Sequence, residues 1–430
     1  MDFYKRLAER CRQSCCLTRE DYFSAGIDRG LRKVNGQGIL AGITCISENY
    51  GSRNGQPCEG NIFYRGRNLR ELAGDAKSSY ERTAYLLLTG ELPDPEQEGA
   101  FQAAFRQIRR EKRDVLERLI LREGDGTNIM NMLARCVLAL YDSDPSADDT
   151  AWENIVRQVV ELIALMPILS ANLYRRKKLA RGETFRLCMD EDMLSAENTL
   201  HIIRGGDGFT PLQVKALDKC LMLHAELGGG NNSAFTTRLV SSTGTDTYSA
   251  IASAICSIKG PKHGGANGKV HAMLRDMEEN IADWENPKEV KKYLTAVLRK
   301  EAFDRAGLIY GMGHAVFTVS DPRTDMMRKL AGDLALHSER EKEFLLYTLV
   351  ERQSPEIIRK EKRTDKFYCA NVDFYSGFIY DLLGIPEELF TPMFVNARIA
   401  GWGAHRLEEL HSGARIMHPA FPYVPGKARR

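Results

Sequence analysis

An all-α fold is predicted by three features of this 430-residue sequence. From Asn68 onward, apolar residues recur at helical spacing almost without interruption. β-Branched and aromatic runs are confined to one short stretch near the start. The helical segments end at Gly and Pro stops rather than alternating with strand signals.

In chain order, residues 1–33 read as an amphipathic helix and its exit. The run GILAGITCISENYGSRNGQPCEGNIFYRGRNL, broken by Asn-Gly and Gly-rich turns, predicts a small hairpin over residues 37–66. Tyr80–Thr89 has helical spacing, with Gly90 and then Pro93 to stop it. Phe101–Leu121 is a long, charged amphipathic helix; its interleaved acids mark a solvated face rather than a nucleic-acid surface. Asn128–Tyr141 and Trp152–Arg175 give two more helices, the second with Pro167 as a kink. Leu212–His224 delivers His224 near a helix end. Thr247–Lys259 is apolar on nearly every side, which predicts burial all round, and Gly260-Pro261 stops it. Asn267 is placed to cap a helix whose face is Val270, Met273, Leu274, Met277 and Ile281. Asp321-Pro322 opens another helix, and Asp373 stands at the start of a further one. The total is about twenty helices without an internal repeat.

Composition narrows the function classes. Hydrophobic content of 43% and charged content of 27% are ordinary for a globular chain. The net charge of +2 implies neither nucleic acid nor membrane as a partner, so any anionic ligand must be met by local arginines. The first residues lack an uninterrupted apolar core, and Val159–Tyr174, broken by Glu161 and Pro167, is expected to be too short to span a bilayer. Ten cysteines without paired CxxC spacing predict reduced thiols and a cytoplasmic location. The cluster Cys11, Cys15, Cys16 reads as small apolar helix positions rather than a metal site.

Chemistry concentrates in His224–Asn267, where His224 leads into Gly-Gly-Gly-Asn-Asn and His263 sits in Gly-Pro-Lys-His-Gly-Gly. Glycines around a histidine signal close backbone approach. Gly-Met-Gly-His at His314 and Asn-Val-Asp at Asp373 repeat the theme, and the three loops are expected to share one cleft. Taken singly, each histidine also reads as a hydrogen-bonded strut and Asp373 as a helix N-cap.

The segments GPKHGGAN, GHAVFTVSDPR and NVDFYSG closely resemble the signature segments of citrate synthases. The resemblance runs in order through nearly the whole chain, from AGITCISENYG to FTPMFVNARIAGWGAHRLEEL. It implies a multihelical fold with a large domain (1–265, including the hairpin), a small helical domain (266–374), and a return to the large domain with a C-terminal arm (375–430). It implies a homodimer whose arm reaches the neighbouring site. The implied reaction is Si-type condensation of acetyl-CoA with oxaloacetate in the tricarboxylic acid cycle. By motif, Asp373 would take the methyl proton, His263 would hydrogen-bond the thioester oxygen, and His314 would polarise the ketone. Arg323, Arg398, His224 and His418 would bind the oxo acid. Gly311, Met312, Gly313 and Asn371 would lie along coenzyme A, a substrate rather than a resident cofactor. No metal is required, because the thioester already activates the carbon.

Two positions depart from the family pattern. Leu227, in HAEL, stands where the family has a second histidine, and His418 where it has an arginine. Three readings follow: an ordinary citrate synthase, a synthase for a different 2-oxo acid or acyl-CoA, and a non-catalytic homologue that serves as a binding protein.

Overall fold

The computed structural model describes residues 7, 18–35, 37–53, 55–123, 128–179, 183–206, 208–413 and 415–422. The cysteine cluster and most of the expected first helix lie outside the described residues. The described residues before Thr44 and after Arg415 form one compact unit, and Thr44–Arg415 forms another. In the first unit, Thr18 and Asp21 make a capping box for α1 (Arg19–Ser24), and β1 (Ile27–Asp28) pairs antiparallel with β2 (Arg32–Lys33).

Sixteen α-helices are present among the described residues. The second unit opens with the hairpin of β3 (Ser47–Arg53) and β4 (Gln56–Tyr64), to which β5 (Arg67–Asn68) adds. This hairpin begins later than the sequence suggests, because residues up to Gly38, which bridges Arg32, belong to the first unit. There follow α2 (Leu69–Gly74), α3 (Tyr80–Thr89), α4 (Pro95–Arg122), α5 (Ile129–Leu140), α6 (Trp152–Lys178), α7 (Ser195–Arg204) and α8 (Pro211–His224). Then come α9 (Asn232–Ser241), α10 (Thr247–Ile258), α11 (Ala266–Asn280), α12 (Pro287–Leu298), α13 (Pro322–His337), α14 (Glu341–Lys362), α15 (Asp373–Leu382) and α16 (Phe390–His411).

Local chemistry sets most boundaries. Asp94 caps α4 in a capping box with Gln97, with Pro95 in the first turn, and Thr210 with Pro211 and Gln213 does the same for α8. The core is organised on α16, whose side chains from Phe394 to Leu407, Trp402 included, are all buried. It packs against α3, α6, α8, α9 and α10. As a 27-residue helix, α6 is long and apolar enough to cross a membrane by composition, yet 78% of its apolar window is buried within the protein. That burial makes it a core helix.

Two local expectations change. Along α10, Cys256 is exposed and Ser249, Ser253 and Ser257 are half-buried. The helix packs on α5, α9 and α16, which leaves that one stripe uncovered. Asn267 does not cap α11. The helix starts two residues earlier, with Gly265 at the cap, and Asn267 is buried within the first turn.

The hairpin contributes few residues but touches two distant loops. From β3, Ser47 Oγ donates to Glu226 Oε1 (2.9 Å) and Asn49 Nδ2 to the Leu227 carbonyl (3.2 Å). From β4, Tyr64 Oη donates to the Glu226 carbonyl (3.0 Å), and Gly60 N donates to Ser320 Oγ (3.1 Å). Gly60 is required by close approach: a Cβ there would lie 2.2 Å from the Ser320 carbonyl oxygen and 2.7 Å from Phe317 Cδ1. Gly60→Ala is expected to cost about 1–3 kcal/mol through forced displacement of the 317–320 backbone. Thermal unfolding checks it; an unchanged Tm would mean that this backbone yields freely.

Candidate active site

Two arginines are taken out of water in the same region. Arg323 is 0% exposed and Arg398 3% exposed. Arg323 enters at the second residue of α13. The N-cap Asp321 accepts from its backbone N (3.0 Å), from Nε (3.0 Å) through the same Oδ1, and from Nη2 (2.7 Å) through Oδ2. One carboxylate thus caps the helix and grips one edge of the guanidinium in bidentate fashion. The other edge is left open: Nη1 is buried with no hydrogen-bond partner. Arg398, from α16, donates Nε to the His224 carbonyl (2.8 Å) and Nη1 to Asn231 Oδ1 (3.0 Å).

Three histidines lie within the electrostatic reach of these cations. His224, at the end of α8, is 0% exposed and packs its ring 4.0 Å from that of Phe394. Burial, then Arg323 and Arg398, hold it well below the usual imidazole range. Its Nδ1 lies 3.2 Å from Tyr380 Oη, while Nε2 is buried without a partner. With the tyrosine hydroxyl donating to Nδ1, the ring hydrogen sits on Nε2 and has no acceptor.

His314 follows Gly311-Met312-Gly313. Its Nδ1 accepts from the backbone N of Val316 (3.1 Å) and of Phe317 (3.2 Å). Burial and Arg323 lower its pKa to about 4, against the opposing pull of Asp321. The ring is therefore neutral near pH 7, and its hydrogen must be on Nε2 because Nδ1 is an acceptor. Phe317 is shared: the His314 ring stacks on it at 4.8 Å, and the Arg323 guanidinium carbon lies 5.8 Å from its centroid.

His263 sits in the turn after α10, with its N donating to the Gly260 carbonyl (2.9 Å). Burial and Arg398 lower its pKa to about 4. Its Nε2 lies 3.1 Å from Ser233 Oγ, which also accepts from Trp402 Nε1 (3.2 Å) and lies 3.0 Å from Asn231 Oδ1. The serine hydrogen has two acceptors within reach, Asn231 Oδ1 and His263 Nε2, and a rotation about the Cβ–Oγ bond turns it from the first to the second. In that orientation Nδ1–H becomes the open donor of the imidazole.

Asp373 is the first residue of α15, half-buried, with Val372 at the cap position. It does not cap the helix. Asn371 Oδ1 instead accepts from the Asp373 N (3.0 Å), and among the described residues the Asp373 carboxylate accepts no hydrogen bond. Burial raises its pKa to about 6, and Arg323 and Arg398 offset part of that rise while Asp321 adds to it. A short antiparallel tie joins its loop to that of His314. Gly313 N donates to the Cys369 carbonyl (2.7 Å), Asn371 N to the Gly311 carbonyl (2.8 Å), and Asn371 Nδ2 to the Gly313 carbonyl (2.8 Å). Met312 faces Ala370 in the same tie. Gly311 needs its lack of a side chain twice over: φ is +77°, and a Cβ would lie 2.8 Å from Phe374 Cδ2.

His224, His263, His314, Asp373, Arg323 and Arg398 are thus gathered in one electrostatic neighbourhood, bordered by Gly311, Met312, Gly313 and Asn371. His418 belongs to the other compact unit and is exposed there. Leu227 is half-buried, with its carbonyl tied to Asn49. Sequence reasoning passed over Tyr380, Ser233, Asn231 and Glu226. Ser233 and Asn231 stand in the glycine-rich stretch after His224, where the run of small polar residues was the available signal. Glu226 is 0% exposed; burial would raise its pKa, but His405, Arg398 and Ser47 bring it down to about 2. It therefore stands as a fixed anion behind Arg398. Among the described residues, no group of three or more His, Cys, Asp or Glu could hold a metal ion.

Residues 34–420 match the family model described as citrate synthase, C-terminal domain. A citrate synthase of Synechocystis is 32% identical over 388 residues, covering 90% of each protein. A 2-methylcitrate synthase of Corynebacterium glutamicum is 31% identical over 386 residues, covering 88% of this chain and 91% of that protein. The crystal structure of citrate synthase from Pyrobaculum aerophilum superposes with a TM-score of 0.76 at 28% identity, covering 93% of both chains. With the model spanning most of its length, the chain belongs to the citrate synthase family.

Proposed function

We propose that the protein condenses acetyl-CoA with oxaloacetate to give citrate and CoA, with Si-type stereochemistry. The observation that carries this reading is the pair of buried donors without an acceptor, Arg323 Nη1 and His224 Nε2. They suit a carboxylate-bearing substrate, and they share their surroundings with an unengaged carboxylate and two neutral histidines. Asp373 takes a proton from the methyl carbon of the thioester. His263, with Ser233 turned toward its Nε2, donates from Nδ1 to the oxygen that gains charge. His314 Nε2–H polarises the ketone that the new carbon attacks. Arg323 and Arg398 hold the carboxylates of the oxo acid, and Gly311–Gly313 with Asn371 border the coenzyme. Water then cleaves the thioester, releasing the CoA thiol and the third carboxylate.

The energetics favour this division of labour. A thioester α-proton is too weakly acidic for a carboxylate to remove unaided, so donors aimed at the developing enolate supply the stabilisation. A base with a pKa near 6 is ionised at neutral pH yet stronger than an ordinary aspartate. The intact set of these residues also speaks against a purely binding role.

The wider reading rests on the resemblance. Residues 266–374 form a small domain that closes on the large domain built from 1–265 and 375–430. Two copies pair, and the C-terminal arm with His418 completes the site of the neighbour. The exposed Leu138 on α5, Leu239 on α9 and Cys256 on α10 support an interface on that face. The scattered cysteines suit the cytoplasm and a place in the tricarboxylic acid cycle. A second reading, a different 2-oxo acid or a longer acyl thioester, is favoured by Leu227 and by the likeness to a 2-methylcitrate synthase.

Thiol release from acetyl-CoA, with oxaloacetate titrated beside a panel of 2-oxo acids, separates the two readings. Saturation by oxaloacetate supports the first; turnover with another oxo acid alone replaces it with the second. If oxaloacetate is native, Leu227→His is expected to lower its KM by about tenfold, the worth of one hydrogen bond to a charged group. Asp373→Asn is expected to lower kcat by about 10²–10⁴-fold. In the wild type, kcat/KM rises with pH through about 6, because the active form is the carboxylate and both histidines are already neutral above about 4. The same variant is expected to be more stable than wild type at pH 7.5 but not at pH 3. A folded-state pKa raised above the ordinary value makes ionisation costly, a cost complete above about 6 and absent when both states are protonated. Equal Tm differences at both pH values would refute the assignment of that pKa.

A further inference from the structure

On α16, Arg398, Gly401, Trp402, His405, Glu408 and Glu409 recur at steps of three or four residues and so share one face of the helix. Each of them meets the stretch from His224 to Arg238. Arg398 donates to the His224 carbonyl and to Asn231, and Trp402 donates to Ser233. Arg238, from α9, reaches back to Glu409 Oε2 (2.8 Å) and to Glu408. At Gly401 a Cβ would lie 2.2 Å from Glu226 Oε2 and 2.5 Å from the Ala225 carbonyl oxygen, so the loop after α8 rests directly on the helix backbone.

His405 stands in the middle of that stripe, fully buried. Its Nδ1 accepts from Arg238 Nε (3.1 Å), which leaves the ring hydrogen on Nε2, 3.0 Å from Glu226 Oε1. The imidazole is thus gripped at both nitrogens. Ser47 Oγ (2.9 Å) and the backbone N of Gly228 donate to the same Oε1, while Oε2 is buried without a partner. The donors on that one oxygen therefore fix the carboxylate. From there a continuous series of hydrogen bonds leads on. The Gly228 carbonyl accepts from Asn231 N (3.1 Å), and Asn231 Oδ1 accepts from Arg398 Nη1 (3.0 Å).

We infer that His405 is a positioning residue for the 2-oxo acid: it holds Glu226, which sets the Gly228–Asn231 turn that aims the Arg398 guanidinium. The inference rests on the proposed role of Arg398. His405 acts entirely through other groups, and the coenzyme border at Gly311–Gly313 and Asn371 makes no hydrogen bond to this series among the described residues. Loss of His405 is therefore felt by one substrate and not by the other.

The test is steady-state kinetics of the full chain with two variants. His405→Leu removes both ring nitrogens, whereas His405→Gln offers an N–H to Glu226 and an oxygen to Arg238. In the leucine variant KM for the 2-oxo acid is expected to rise by about tenfold, the worth of one hydrogen bond to a charged group, with KM for acetyl-CoA unchanged. The glutamine variant is expected to recover most of that loss. A merely structural role would lower Tm and the active fraction without separating the two KM values. If the leucine variant does not fold, Ser47→Ala carries the test, since it removes another donor from Glu226 Oε1 at a half-buried position. A smaller rise in the same KM alone is expected there. Failure of the wild type to turn over any 2-oxo acid would strike the proposed function; crystal structures of wild type and variant then read the positioning without turnover, as a displacement of Asn231 and Arg398. An unchanged KM, an equal rise in both KM values, a loss that glutamine does not reverse, or an unmoved 228–231 turn would overturn the inference.

Discussion

The site depends on two guanidiniums held out of water within each other's field. Each would be prohibitive alone, since a buried unpaired charge costs several kcal/mol. Asp321 answers Arg323 by clamping one of its edges, and Glu226, itself buried, stands against Arg398. Neither neutralises the pair outward: Arg323 keeps an open N–H edge. The surplus positive potential propagates into every titratable group nearby. It adds to burial in keeping His224, His263 and His314 neutral, and it limits how far burial can raise Asp373. One electrostatic arrangement thereby sets the protonation of three imidazoles and one carboxylate together.

Hydrogen bonding then fixes direction. Two backbone N–H groups occupy Nδ1 of His314 and dictate its tautomer. Ser233 accepts from Trp402, and the direction of its own hydrogen, to Asn231 or to His263, selects the tautomer of His263. The tie between 311–313 and 369–371 couples the loop of His314 to that of Asp373. Movement of either loop therefore carries both.

Helix boundaries were legible where a cap and its helix are neighbours in sequence, as at Asp94-Pro95, Thr210-Pro211 and Asp321-Pro322. The same locality misled at Asp373. An aspartate at a helix start reads as a cap, but Asn371 two residues earlier does that work and leaves the carboxylate unengaged. At Asn267 the cap position falls two residues too early for the side chain to serve. The loops bearing His263, His314 and Asp373 could be found from their glycines and the family resemblance. The clamp on Arg323 could not, because it needs the side chain of a residue already accounted for as a cap. Glu226 was equally hidden, since its partner His405 lies 179 positions away.

The hairpin has a meaning for biosynthesis as well as for the finished fold. It occupies residues 47–64, yet it is anchored by Glu226 and by the 317–320 backbone, and Glu226 in turn waits for His405 on the last long helix. A nascent chain leaving the ribosome therefore makes this small sheet long before anything exists to cover it. Isolated two-stranded hairpins are marginal in water and present open edges for pairing with other chains. The anchors of the sheet form only after residues up to His405 have been made, which places assembly of the site late in folding.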